Sequence, residues 1–598
     1  MKNLEIAAMF ERTAEVMSVI GENSFRVLAY KKIARALEDL PHDVAEIAKT
    51  GGLEDIPGIG ASSAEKIREY LRTGTITEFQ SIWSQVPAGV MEMIKIPSVG
   101  AKTAALLWHH AGIQSVQELK DAIDAGKLTD IPSLGQKKLD KIKLNISFLS
   151  QSSGRVRIGR ALPLALEWVG FLRSLPGVER AEYGGSLRRG KETIGDIDIA
   201  VAADEAHAPA IAKAVASHHL TSEVIGSGDT KTSVRTAAGI QVDVRVVPLE
   251  SFGAAMQYFT GSLAHNVRLR TFAVAKGLKL NEWGVYQGDK MLAGKSEEEV
   301  YATLGLACLP PEMREDHGEI ELAQKLFSES APAKPKAKSP APVSCAATYP
   351  LIEIADIRGD LHTHTVASDG SHSIEEMVAE AKRRGYQYIA ITDHSKSQFQ
   401  ANGLKSDRLL QHIEAIHVVA REVKNILVLA GSEVDILADG SLDYEDDLLA
   451  KLDWVVASPH AALTQESDAA TDRLVRAAAN PHVCVIGHPT GRLVMSRRGL
   501  EPDMKKVIFA AARNGIALEI NSNNHRLDLR DSHAKLAVDA GVPLCINTDA
   551  HTFDDFDQLQ YGILTARRAW AKKENILNTR TAPELKKWLK TRKENANW

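Results

Sequence analysis

The chain has 598 residues, 44% of them hydrophobic and 25% charged, with a formal net charge of −5. That length holds several domains with ample core, and the charge excludes a bulk electrostatic attraction to nucleic acid, so any DNA contact has to come from local placement. No apolar run reaches the roughly 18 residues of a membrane span, and Cys308, Cys345, Cys484 and Cys545 form no Cys-x-x-Cys pair. The expectation is a cytoplasmic protein without a membrane partner, a disulfide framework or a thiolate zinc site.

The first 17 residues, MKNLEIAAMFERTAEVM, read as an amphipathic helix, and residues 1 to about 150 are helical in pattern. Within them three segments share an apolar-Pro-x-apolar-Gly frame: Ile56 to Gly60, Ile96 to Gly100 and Ile131 to Gly135, each followed by a lysine-bearing helical stretch. A tight glycine turn at a helix start exposes backbone N–H groups that hold a DNA phosphate without reading bases. Proline and glycine also punctuate ordinary helices, but three copies in one frame favour the phosphate reading. Gly58, Gly60, Gly100 and Gly135 are the candidate DNA-binding positions.

Residues 155 to 325 mix strands and helices. The run YGGSLRRGKETIGDIDIAVAA begins at Tyr183. Strand alternation puts Asp196 and Asp198 on one side, where both carboxylates can share a pair of divalent cations. Gly184-Gly185-Ser186 offers N–H groups to a phosphate, and Arg188 or Arg189 adds a bidentate cation. Asp243, in the alternation IQVDVRVV, is the expected third carboxylate on a neighbouring strand. Unpaired buried acids are costly, which weighs against a merely solvated pair.

From Ser328 to Pro350 the sequence is rich in Ala, Pro, Lys and Ser, as in a flexible linker. Beyond it, seven runs (DLHTH, YIAITDH, LVLAGSE, WVVASPH, VCVIGH, IALEIN, PLCINTDAH) end in polar residues, and 12 of the 20 histidines lie here. The C-terminal ends of parallel barrel strands converge on one face, so His362, His364, Asp369, His394, Glu433, His460, His488, Asp549 and His551 are predicted to form one metal pocket. His372, His412, His417, His482, His525 and His533 lack this placement and read as ordinary.

The first 325 residues resemble a family X DNA polymerase. The resemblance implies a lyase-like helix-hairpin-helix domain at 1–80, fingers at 81–153, a nucleotidyltransferase palm at 154–247 and a thumb at 248–327. It makes Ser186 and Arg189, with Gly185, triphosphate contacts and makes Asp196, Asp198 and Asp243 the metal-binding aspartates. Tyr258, Phe259 and Gly261, in the segment that ends at Ser262, lie beside the incoming sugar, with Asn266 and Arg270 toward the minor groove. Ile194 and Leu263 depart from the family pattern, where polar residues are usual. The implied reaction is two-metal nucleotidyl transfer from dNTPs with magnesium. Lys66 aligns with the Schiff-base lysine of relatives with deoxyribose-phosphate lyase activity, Ser62 standing where a supporting lysine is usual; the competing reading is a phosphate-binding lysine.

Residues 351–598, after the linker at 328–350, resemble the polymerase and histidinol phosphatase (PHP) domain. The resemblance implies a distorted (β/α)7 barrel with up to three manganese or zinc ions that hydrolyses DNA from the 3′ end. Mixed imidazole and carboxylate donors suit such ions. Glu433 is the candidate bridging carboxylate and Arg492 a candidate phosphate ligand, with Asn521 and Arg526 at the same mouth.

The fold expected is therefore multidomain α+β and α/β. The function expected is a bacterial, monomeric, nucleoid-associated DNA-directed DNA polymerase that fills short gaps in base excision repair, binds gapped or primed duplex, and carries a 3′–5′ exonuclease. An AP endonuclease activity stays open. The alternatives are a PHP phosphoesterase whose polymerase half only binds DNA, a polymerase with a purely structural barrel, and template-independent nucleotide transfer.

Overall fold

The computed structural model describes residues 2–38, 44–56, 58–96, 98–129, 131, 134–152, 154–330 and 344–595. Two compact units divide the chain, 1–153 and 154–598.

The first unit is helical. Lys2–Val19 and Ser24–Glu38 pack through Phe10 and Tyr30 onto Phe79 of the helix Thr77–Trp83, the Phe10 and Phe79 rings meeting edge to face at 4.9 Å. Gly60 and Gly100 are the N-caps of Ala61–Thr73 and Ala101–Ala111, and Gly135 accepts from Lys138 and Leu139 at the start of Gln136–Ser152. Gly58 takes φ 94°, a conformation open to glycine at no steric cost, whereas the second hairpin places Ser98 there at φ 78°. The prolines of all three frames lie outside the described residues.

In the second unit a five-stranded sheet runs in the order Val178–Tyr183, Asp196–Ala203, Gln241–Val247, Lys231–Thr236, Thr221–Ser227. The second and third of these are parallel, with Asp198 directly opposite Asp243. Alternation does the rest: Ile197, Ile199 and Val201 enter a core under the helix Ile158–Arg173 with Trp168, leaving the acids on the opposite side. The helices Phe252–Thr260 and Leu263–Ala275 lead into a three-stranded antiparallel sheet, Lys279–Asn281, Gly284–Gln287, Lys290–Ala293. Beneath it, fully buried Arg314 is held by Glu297 at 2.5 Å and by the carbonyl of Leu309. Against its own burial, Arg314 and Arg188 hold the Glu297 carboxyl down to about 2.

The seven predicted runs become seven parallel strands in sequential order: Gly359–Thr363, Tyr388–Ile391, Leu427–Asp435, Trp454–Ser458, Val485–Ile486, Ala517–Asn521 and Leu544–Asn547. A bridge between Thr363 and Ala550 brings the ends together, completing the (β/α)7 barrel. Leu361, Tyr388, Leu429, Trp454, Ala517 and Cys545 fill its lower interior, plugged by Leu585 and Leu589 of the helix Ala582–Asn595. Ile389, Val428, Val455, Leu518 and Ile546 face the outer helices. Near-continuous apolar strands of this kind are what a sheet covered on both faces requires.

Two expectations change here. Cys308 and Cys345 form a disulfide, with Cα atoms 4.6 Å apart across a sequence separation of 37. Sequence spacing cannot anticipate it, because Cys345 belongs to the proposed linker and meets Cys308 only when Ser344–Thr348 folds back. Both ends of the segment expected as a linker, 328–350, carry helical residues. The helix Glu319–Ser330 enters one end, a helical turn at Cys345–Thr348 occupies the other, and 331–343 lie outside the described residues.

The barrel packs directly on the palm: Val494, Leu527 and Tyr561 join the apolar core of Trp168 and Ile197. Arg492, expected at the nuclease phosphate, instead donates to Glu192 of the palm at 2.5 and 3.2 Å and to the carbonyl of Leu527 at 2.5 Å. Its guanidinium is committed to this contact, which a one-dimensional reading of GHPTGR had no means to show.

Candidate metal centres

The palm centre is built by strand pairing. Asp196, Asp198 and Asp243 bring one carboxylate oxygen each to within 4.8 Å of the others. Burial first, then Asp196 and Asp243, push the Asp198 carboxyl up to about 7. Asp243 goes the other way: although burial raises it, hydrogen bonds from Lys231, Ser233 and Gln241 hold it low, Lys231 lying at 2.8 Å. Three converging carboxylates could hold a hard divalent ion, which oxygen-only sets suit.

The glycine loop fits against this triad. Gly184 N–H donates to the Asp198 carbonyl at 2.8 Å, and Gly185 adopts φ 62°. A Cβ on Gly185 would lie 2.5 Å from Asp198 Oδ2, so the backbone can approach the acids only without a side chain. Arg188 is used internally, by Thr260 and Glu297, both at 2.6 Å. Arg189 donates to the Thr260 carbonyl at 2.5 Å and to Glu315 at 2.9 Å. Ser262 caps the helix Leu263–Ala275, while Asn266 is locked between Gln257 and the Tyr258 carbonyl, both at 2.7 Å. Arg270 Nε reaches the Asn266 carbonyl at 3.3 Å. Ile194 is fully buried and Leu263 is 78% exposed, so each departure from the polar pattern has its own structural place.

The barrel centre gathers all nine sequence-predicted residues. Three overlapping groups have donor atoms within 4.8 Å: His364, Asp369, His394, His551; His362, His364, Glu433, Asp549; and His394, Glu433, His460. His488 joins them with Nε2 2.9 Å from Glu433 Oε1. Glu433 points inward with Leu429 by strand alternation; a register shift between Asp360 and Thr363 re-aims His362 into the same space.

This pocket fits metal ions on its own evidence. Glu433 Oε1 and Oε2, His362 Nε2, His394 Nδ1 and both ring nitrogens of His488 are buried without an aligned hydrogen-bond partner among the described residues. Native structures rarely leave so many buried polar atoms unsatisfied, and donor sets of imidazole plus carboxylate supply what manganese or zinc requires. The close histidine–carboxylate pairs also shift the protonation equilibria. Against burial, Glu433 and Asp435 push His460 up to about 10, and Asp369 and Asp549 push His551 up to about 9. Burial, with His551 and His394, pulls His364 down to about 4.

Several participants were invisible in sequence. Glu519 is fully buried, lies 2.8 Å from His362 Nδ1 and accepts from the His488 backbone N–H at 2.7 Å. The run IALEIN reads as a strand, and its acid two residues before the end, on the inward-facing parity, is the signal that marks Glu519. Asp435 takes His460 Nδ1 at 2.5 Å. His412, expected to be ordinary, pairs at 2.8 Å with buried Asp393, which accepts from Thr365 and Ser368 in the loop between His364 and Asp369. Partners of this kind fix ring orientation and tautomer. Asn521 donates to Asp549 at 2.9 Å and Arg526 comes within 3.8 Å of it.

In the first unit Lys66 is 3.0 Å from Glu78 and 2.9 Å from Ser62 Oγ. Glu78 also receives Arg26 and Tyr30, so Lys66 belongs to a small ion-pair network.

Comparison with known proteins agrees with this geometry. Residues 1–76 match a helix-hairpin-helix domain, 90–146 a SAM-like helix-hairpin-helix tandem, 255–315 the DNA polymerase beta thumb and 360–523 the PHP domain. The chain is 36% identical over 594 residues to the DNA polymerase/3′-5′ exonuclease PolX of Bacillus subtilis (strain 168), covering 99% of this chain and 100% of that one. A probable phosphatase of Thermoanaerobacter sp. (strain X514) is 30% identical over 245 residues, 39% of this chain and 95% of its own. DNA polymerase lambda of Rattus norvegicus is 27% identical over 342 residues, 52% of this chain and 56% of its own.

Proposed function

The chain belongs to the PolX family of DNA polymerase/3′-5′ exonucleases, and from that premise we propose that its two carboxylate-bearing centres divide the two chemistries, synthesis in the palm and 3′ trimming in the barrel. The enzyme is a repair DNA polymerase with an exonuclease. The observation that carries the division is the coexistence, in one chain, of the Asp196, Asp198 and Asp243 triad beside a glycine loop and the nine-residue pocket of the barrel.

In the palm, magnesium is the ion that suits the all-oxygen triad, and in the barrel, manganese or zinc; bound there, such ions supply charge neutralisation and Lewis acidity. The chain's own work is placement. Gly185 and Ser186 present N–H groups to the triphosphate, and Arg189 adds its charge. Asp196, Asp198 and Asp243 would hold the ions together, with Tyr258, Phe259 and Gly261 beside the sugar and Asn266 and Arg270 toward the minor groove. Gly58, Gly60, Gly100 and Gly135 hold the duplex by its phosphates in gapped or primed DNA. In the barrel, Glu519 and Asp435 lie against Nδ1 of His362 and His460 and would hold those protons, so that each Nε2 can face the centre once it is deprotonated. Arg526, close to Asp549 and not committed to the palm, takes the phosphate-holding role expected of Arg492. Lys66, ion-paired with Glu78, holds a DNA phosphate rather than forming a Schiff base.

The test uses the full chain on gapped duplex with labelled dNTPs and on a 3′-labelled single strand. Asp196→Ala with Asp198→Ala should remove incorporation by about a thousandfold or more and leave trimming intact, and His362→Ala with His364→Ala should do the reverse. Loss of both activities in either variant, or of neither, would overturn the division.

A further inference from the structure

The helix Leu559–Arg568 of the barrel lies against the phosphate loop of the palm. Gly190, which ends that loop at φ 66°, has no side chain in the way: a Cβ there would sit 3.2 Å from Leu564 Cβ. One turn further along the helix is Arg568, 5% exposed in its side chain. Its Nη1 donates to the backbone carbonyl of Arg189 at 2.8 Å and to Glu315 Oε1 at 2.9 Å, and its Nε donates to Asp531 of the barrel at 2.7 Å. The Arg189 side chain donates to the same Glu315 oxygen, also at 2.9 Å.

One thumb carboxylate is thus shared by two arginines, one from the polymerase loop and one from the nuclease domain. Arg568 constrains Arg189 twice over, through its main-chain carbonyl and through the acid that orients its guanidinium. It also draws on the charge of Glu315, which would otherwise be directed at Arg189 and Lys191 alone. A planar fork tied to Asp531 at one side and to Glu315 and Arg189 at the other can hold this geometry; a lysine ammonium has no equivalent fork.

We propose that Arg568 is a positioning residue for the polymerase reaction: the nuclease domain supplies, through Glu315 and the Arg189 carbonyl, part of the preorganisation of the triphosphate-binding arginine. This rests on the reading of Arg189 as a triphosphate contact. Two consequences follow. Nucleotide binding by the palm depends on a side chain 379 residues away in the chain. The dependence is on the barrel as a packed body, not on its metal chemistry.

The experiment is steady-state gap filling by the full chain, with KM for dNTP and kcat read separately, and trimming of a single strand as the parallel readout. Arg568→Ala should raise KM for dNTP roughly tenfold, the cost of one charge-assisted contact, while leaving trimming within about twofold. Arg568→Lys should recover only part of it. Glu192→Gln, which loosens the Arg492 ion pair in the same palm–barrel interface without touching the phosphate loop, should leave KM unchanged; an equal rise there would make the effect one of general interface loosening and overturn the proposal. Arg189→Ala separates the two readings. If it leaves KM unmoved, the triphosphate role of Arg189 fails; if it raises KM while Arg568→Ala does not, the positioning role alone fails.

Discussion

The palm and the barrel both gather acids that could hold a cation, yet they do so in opposite ways. The palm triad is partly exposed, has a lysine at 2.8 Å and is made of three carboxylates from two adjacent strands. The barrel pocket is deeply buried, drawn from separate strand ends, and carries its own shell of orienting acids in Glu519, Asp435 and Asp393. An open carboxylate site is completed by its substrate's phosphates, whereas a closed imidazole site is complete before substrate arrives. On the division proposed above, synthesis would complete its centre with each nucleotide, whereas trimming would use a centre that stands ready-built.

The largest predicted effect follows from removing the residue on which the standing centre depends. Glu433 faces His362, His394, His460 and His488 at 2.8 to 3.4 Å, and its pKa is held well below the carboxylate range although burial opposes this. Glu433→Ala should cut single-strand trimming by about a thousandfold and abolish the stabilisation expected from manganese in the barrel, about 4 kcal/mol at a thousand times Kd and seen as a rise in Tm. Differential scanning calorimetry with and without manganese checks it. Next in size is Glu519→Gln, which keeps the shape but loses the charge behind His362 Nδ1. It should weaken metal affinity or trimming by about 10- to 100-fold, with gap filling untouched. A palm that responds equally to either change would break the contrast.

How much of this was legible beforehand differs between the centres for the same physical reason. Asp196, Asp198 and Asp243 sit in strands whose period-2 alternation predicts their side, and the nine barrel residues sit at strand ends that topology must bring together. Their orienting partners obey no such rule. His412 lies mid-helix and reads as an ordinary histidine, away from any strand end; its partner Asp393 comes from a different element. Arg492 and Glu192, three hundred residues apart, meet only because the barrel packs on the palm. Local pattern specifies what points inward; it does not specify which distant element answers.

A smaller effect separates the centres by pH. In the palm Asp198 is raised to about 7, by burial and then by its acid neighbours. A raised carboxyl contributes stability at low pH that is lost as pH rises through the folded value, and cation binding gains over the same interval. Palm affinity for magnesium should rise about tenfold from pH 6 to pH 8 and be nearly flat beyond. The barrel should behave differently, because His460 at about 10 and His551 at about 9 must lose protons to bind an ion, so its affinity keeps rising past pH 8. Calorimetric titration at pH 6, 7, 8 and 9, using His362→Ala with His364→Ala to isolate the palm, reads both curves. Parallel curves would remove the distinction.

The smallest effect probes how open the palm centre is. Lys231 Nζ lies 2.8 Å from Asp243 but is 45% exposed, so solvent screens the pair and its worth is modest. In an open site that lysine competes with the incoming cation for Asp243. Lys231→Ala should therefore lower the magnesium concentration for half-maximal gap filling by about two- to threefold, with kcat nearly constant. Raising the salt concentration should shrink the difference, because exposed charges are screened over about 10 Å at 0.1 M. If the substitution raises the magnesium requirement instead, Lys231 is holding Asp243 in register rather than competing for it, and the palm centre is more preorganised than its exposure implies.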